Sequence, residues 1–310
     1  MDPFSTTTAL LAALTIDLAW GDPPNRWHPV AWFGRVCSPL RRLANLRWPP
    51  AQLAAGILTA SVAPLGFVAA GVLAIRAAEG IGWLQFVIEA AVLSCTFAIR
   101  GLGEAALRVA AALERDDLAS ARRHLGALCS RDAQALDAQG VAAGAIESVA
   151  ENASDSAVAP LMFAVVFGLE GALFYRAVNT LDAMFGYRGP FEYFGKPMAR
   201  LDDILNLIPA RITAAWLCLA ALGGEGSAKH GWRIWMRDAG RTPSPNAGRP
   251  MAAMAGILGV RLTKADTYAL GDDTRPVEAH DIRRAWATAR RAMIANAVAC
   301  ALGSALWNGI

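Results

Sequence analysis

GAIESVAENASDSAVAP at residues 144–160 and YRAVNTLDAMFGYRGPFEYFGKPMARLDD at residues 175–203, joined by the apolar run LMFAVVFGLEGALF, decide how the chain is read. Glu147, Glu151 and Asp155 recur every four residues, a spacing that lines three carboxylates along one face of a helix. Beyond the run, Asn179, Asp182, Asp202, Asp203 and Asn206 supply a second group of oxygen donors. A solvated helix face followed by a polar loop is the plain alternative. Charge beside apolar runs is costly, however, and usually functional.

Working outward, apolar residues make up 55% of the 310-residue chain and charged residues 18%, against about 25% charged in an ordinary soluble domain. With a mean hydropathy of +0.33, this is an all-α, polytopic membrane bundle carrying amphipathic inserts. A net charge of +3, with basic residues interspersed among acids or beside apolar runs, does not suggest nucleic acid; the lipid bilayer is the partner it fits. Five scattered cysteines and four scattered histidines show neither a disulfide frame nor a zinc spacing. The N-terminus has no positive leader region, so Thr8 to Trp20 is expected to be a retained first membrane segment, with Asp17 near the interface or facing the bundle.

Gly21, Pro23, Pro24 and Pro29 then break the chain, and Trp20, Trp27 and Trp32 suit an interfacial belt. Arg35, Arg41, Arg42 and Arg47 mark a cytoplasmic loop. Gln52 to Ile75 is expected to span and Trp83 to Ile99 to return. Arg100 to Asn152 reads as soluble amphipathic helix, with a new helix opening at Arg131 and Asp132. Tyr175 to Asp203 reads as loop-rich, and Ile204 to Leu222, holding Asn206, Pro209 and Arg211, as a broken or interior-facing helix. Gly223 to Arg291 is a polar insert with an irregular turn at Pro243, Pro245, Gly248 and Pro250; Ala292 to Trp307 closes the chain. If both segments around the Asn179 to Asp203 stretch crossed the bilayer, that stretch would leave the side that holds Glu147. The expectation is that they dip without crossing, or that the stretch folds back.

No P-loop, dinucleotide fingerprint or nucleophile elbow is present. Carboxylates and amides with arginines nearby fit Mg²⁺ and a phosphate-bearing substrate. A transferase or ligase, a transporter and a noncatalytic membrane subunit all remain open on this pattern. The large polar inserts favour binding of soluble substrates.

Five ordered motifs then carry a resemblance: D-x-x-x-G-D-P-P-x-x-x-H-P-V-x-x-x-G-R at Asp17 to Arg35, E-S-V-A-E-N-x-S-D at Glu147 to Asp155, Tyr175 to Tyr187, Ala199 to Arg211, and S-P-N-A-G-x-P from Ser244 with the following M-A-G. Together they resemble the CobD/CbiB family, the membrane adenosylcobinamide-phosphate synthases of cobalamin biosynthesis. Ala153 and Ser156 stand where that pattern usually has threonine and glycine. The resemblance implies a multi-pass inner-membrane enzyme with its site facing the cytoplasm. It would join the carboxylate of adenosylcobyric acid to (R)-1-aminopropan-2-ol or its O-phosphate, consuming ATP with Mg²⁺.

On that basis Glu147, Glu151, Asp155, Asp182, Asp202 and Asp203 are the magnesium candidates, with Glu151, Asp182 and His28 in the chemistry, His28 as base for the amine. Arg176, Arg188, Lys196, Arg200 and Arg211 are candidates for phosphate or corrin contact, and Asn152, Asn179 and Asn246 for orienting substrate. Each carboxylate has an intrabundle ion pair as its alternative role. The chain is expected to be one catalytic domain, residues 1–310, with inserts at about 100–155 and 223–291. A homo-oligomer, or a complex with other late cobalamin enzymes, is compatible with it.

Overall fold

The computed structural model describes residues 6–129, 133–265 and 267–307. The chain forms two compact units: Met1–Ala98, Ala159–Leu205 and Ala299–Ile310 make the first, Ile99–Val158 and Asn206–Val298 the second.

The first unit holds α1 (Thr6–Trp20), α2 (Pro29–Cys37), a 3-10 segment (Ser38–Asn45), α3 (Pro49–Arg76), α4 (Gly82–Ser94), α8 (Ala159–Phe185) and α9 (Lys196–Leu205). α3 starts on Pro49, where a missing N–H costs nothing because the first turn has no carbonyl to donate to. Ile57, Leu58, Val62, Leu65 and Leu73 of α3 stay exposed, as side chains facing lipid do. Asp17 is 1% exposed, so of its two expected positions it takes the bundle interior. The core gathers Phe33, Ala60, Ala177, Leu181, Phe194 and Met198.

The second unit holds α5 (Ile99–Leu113), α6 (Leu118–Leu125), α7 (Ala138–Ala153), a π turn (Ser154–Val158), α10 (Leu207–Ala220), α11 (Ala228–Asp238), α12 (Gly248–Leu258) and most of α13 (Ala279–Trp307). An antiparallel pair, β1 (Leu262–Lys264) and β2 (Tyr268–Leu270), is too short to leave a periodic signal in the sequence.

Among the described residues, three helical stretches are long and apolar enough to cross a membrane: Pro49–Arg76, Gly82–Leu113 and Ala138–Phe185. The bent pair Lys196–Leu205 and Leu207–Gly223, angled by 50°, is a fourth if it counts as one span. Of the two readings of Ile204 to Leu222, broken or interior-facing, the bend gives a break, and it falls at Asn206. Pro209 does not cause it: it sits in the first turn of α10, where the Asn206 carbonyl accepts the first bond, from Ala210 N–H at 3.0 Å.

Four readings need correction. Tyr175 to Asp203 is not loop-rich: Arg176, Asn179 and Asp182 are spaced by three because α8 runs on to Phe185, and only the stretch up to the start of α9 turns. α7 is not a soluble amphipathic helix, since Val141 to Ala150 are all buried; α5 and α6 do bury a single stripe. α7 opens on Asp137, whose carboxylate accepts from Gly140 N–H at 2.7 Å; Arg131 and Asp132, the expected start, lie outside the described residues. α13 begins at Ala279 rather than Ala292, and Gly248 and Pro250 belong to the first turn of α12 rather than to the preceding loop.

The second unit is tied by arginine–carboxylate pairs. Asp281, fully buried, accepts from both terminal nitrogens of Arg275 at 2.7 and 2.6 Å, and from Glu278 N–H at 3.0 Å. Burial alone would raise its carboxyl, but these bonds and the Arg275 charge hold it below the ordinary range. Asp238, also fully buried, is held in the same way by Arg237 and Gly271 N–H.

Asp281→Asn should cost about 3 kcal/mol in unfolding of the detergent-solubilised protein near neutral pH, because Arg275 loses its counter-charge. With a depressed folded pKa, the carboxylate's contribution is complete above the unfolded value of about 3.9 and is lost as pH falls through the folded one. The gap between wild type and variant should be flat above about pH 5 and close below about pH 4; a gap that persists undiminished at low pH contradicts this assignment.

Candidate functional site

In the first unit the site is built by a helical hairpin. α8 ends at Phe185, whose ring meets Phe191 and Phe194 edge-on at 5.7 and 5.3 Å. This aromatic cluster folds the Gly186 to Gly195 turn back on the helix end, and α9 returns against α8. Asn179 and Asp202 consequently meet, Asn179 Nδ2 donating to Asp202 Oδ1 at 3.2 Å. Gly186 is required here: a Cβ would collide with the carboxylate and carbonyl oxygens of Asp182.

Asp182 and Asp203 are half-buried on the facing helices; Asp203 lies 3.7 Å from the exposed Arg200. Arg188 and Lys196 are exposed, in the turn and at the start of α9. Arg176 is half-buried one turn before Asn179, and its buried Nε–H has no hydrogen-bond partner among the described residues.

His28 caps α2. Its Nδ1 accepts from Val30 N–H at 3.2 Å, which in the neutral ring puts the proton on Nε2, 3.6 Å from Asp22. To accept a proton from an amine, the imidazole would have to release the cap. Asp22 was not singled out in the sequence, although it belongs to the G-D-P-P motif; its signal was the motif position alone.

In the second unit, Glu147 is 3% exposed inside α7, and Glu151 is half-buried one turn later. Asp155 lies in the π turn, so the face begun by Glu147 and Glu151 departs from strict α spacing there. Asn152 donates to Ser148 carbonyl at 2.9 Å and accepts from Ser156 Oγ at 3.3 Å. The serine at a usual glycine position thus contributes a hydroxyl that orients the neighbouring amide. Asn246 is buried, and Arg211 is half-buried in the first turns of α10.

Among the described residues no three His, Cys, Asp or Glu side chains are gathered so as to hold a metal ion. Among those residues an all-protein cage is therefore not built. Mg²⁺ takes one or two carboxylates and completes its octahedron with water and substrate phosphate, so the oxygen donors present fit that mode of binding.

The predominantly helical fold with its long apolar stretches is that of a membrane protein, with carboxylates, amides and arginines on the facing helices α8 and α9. The family model described as CobD/Cbib protein matches residues 10–294. The chain is similar to the cobalamin biosynthesis protein CobD of Dehalococcoides mccartyi, 44% identical over 268 residues that cover 86% of this chain and 87% of that one. The probable cobalamin biosynthesis protein CobD of Methanothermobacter thermautotrophicus is 41% identical over 270 residues, 86% of this chain and 88% of its own. The Mycobacterium tuberculosis H37Rv protein of the same name is 40% identical over 289 residues, 89% of this chain and 88% of its own. No solved structure gives a significant match. The chain belongs to the CobD/CbiB family.

Gly186→Ala should displace the Asp182 carboxylate and reduce function at least tenfold, since misplacing a site group by about 1 Å can cost a hundredfold. Complementation of a bacterium lacking its own family member is the readout; full complementation would remove Asp182 from the site.

Proposed function

We propose that the chain is a multi-pass membrane enzyme of cobalamin biosynthesis that forms an amide at a cytoplasm-facing site. It joins adenosylcobyric acid to (R)-1-aminopropan-2-ol or its O-phosphate at the expense of ATP. The observation that carries this reading is the match along nearly the whole chain to proteins named for cobalamin biosynthesis.

In the reaction, a carboxylate oxygen of the corrinoid attacks the γ-phosphorus of ATP and ADP leaves. The amine nitrogen then attacks the acyl carbon. Phosphate departs with one former carboxylate oxygen, and the amine's proton passes to a carboxylate. Mg²⁺ when bound supplies charge to the phosphates and orients them. The candidates to hold it are Asp182, Asp202 and Asp203 in the first unit and Glu147, Glu151 and Asp155 in the second. Glu151 and Asp182 are the candidate proton acceptors; with its lone pair engaged in capping, His28 holds the loop that carries Asp22. Arg176 is suited to an oxyanion, because its inward Nε–H lacks a partner among the described residues. Arg188, Lys196 and Arg200, all exposed, suit the periphery of an anionic or amide-rich substrate.

Membranes given adenosylcobyric acid, aminopropanol phosphate, ATP and Mg²⁺ should accumulate the amide; absence of turnover with these substrates contradicts the proposal. Glu151→Gln and Asp182→Asn should each lower the rate by roughly 100-fold or more without loss of folding. Near wild-type rates in both would withdraw them. A transporter would instead move substrate across vesicles with no covalent product. A cysteine at Gly189 should resist an impermeant reagent applied outside intact cells; labelling there contradicts the cytoplasmic placement.

A further inference from the structure

Several arginines of the second unit have an acid. Arg237 has Asp238 and Asp272, Arg275 has Asp281, and Arg283 has Glu114. Arg211 and Arg249 differ. Both are half-buried, on α10 and α12, which pack together. Arg211 donates only to Leu207 carbonyl at 2.5 Å, and Arg249 only to Pro245 carbonyl at 3.4 Å. Among the described residues neither guanidinium meets a carboxylate. They also feel each other: burial first, then the Arg211 charge, lowers Arg249 from its ordinary value.

Two uncompensated like charges taken partly out of water are unfavourable in the empty protein. An anion between them would reverse the sign of that interaction. Guanidinium forks match phosphate oxygens, and Arg249 stands in the first turn of α12, where the helix end also favours negative charge.

We propose that Arg211 and Arg249 form a clamp for a phosphoryl group carried by a substrate, either the phosphate chain of the nucleotide or the phosphate ester of the amine. The ligand's role rests on the amide-synthase reading, but the clamp can be tested without turnover.

The test uses the full chain purified in lipid-free detergent, with binding of tripolyphosphate, a non-hydrolysable ATP analogue and aminopropanol phosphate measured separately. Arg211→Gln and Arg249→Gln should each weaken phosphate binding by roughly tenfold or more, with Arg249→Lys in between. In the absence of ligand both Gln variants should unfold no more easily than wild type, because a repulsion has been relieved. A merely structural arginine would lower that stability as well. Loss confined to the nucleotide analogue assigns the clamp to ATP, and loss confined to aminopropanol phosphate assigns it to the amine. Unchanged affinity for all three probes in both variants, or no binding by wild type, overturns the clamp. Absence of amide formation in a protein that still binds phosphate through these arginines would fault the reaction and leave the clamp standing.

Discussion

A charged group carried into apolar surroundings must find its counterpart within the protein, and this constraint organises the second unit. Asp238 and Asp281 are fully buried and sit against arginines and backbone N–H groups. Breaking such a pair is costly, while forming it contributes little net stability, so its main effect is to fix which helices meet. Asp281 ties the start of α13 to the Arg275 segment, and Asp238 ties the end of α11 to the strand turn at Gly271.

The same constraint separates arginines that acids already hold from those left for the proposed substrate contacts. Arg237, Arg275 and Arg283 are consumed by acids and cannot also serve a substrate cheaply. Arg176, Arg211 and Arg249 keep donors that no described acid takes up, and each falls within one of the motifs that carry the family resemblance. His28 lies between these cases. Its ring is committed to the backbone, which makes it an organiser of the turn after α1.

The long apolar stretches were legible because membrane crossing demands uninterrupted length, as in α3. The break at Asn206 was legible from polar residues inside an apolar run. The helix through Asp182 was hidden because the glycines and prolines of the turn that follows were read too far back, although Arg176, Asn179 and Asp182 already had helical spacing. The early start of α13 was hidden by its arginines, which are polar in composition although Arg283 and Arg284 point at Glu114, Glu225 and Asp281. No composition signals the π turn at Ser154–Val158. Of the candidate site, the motif residues were readable and their pairings were not: Asn179 with Asp202 depends on the hairpin's register. Arg249 was missed because it occupies the x of S-P-N-A-G-x-P, where a motif offers no residue to read.

In the proposed reaction, the polar groups of this membrane protein serve carboxylate activation by ATP. Its most direct measurement is isotope transfer from adenosylcobyric acid labelled with ¹⁸O in the reacting carboxylate. Each amide formed should release inorganic phosphate carrying one labelled oxygen. Amide formation with unlabelled phosphate would contradict it.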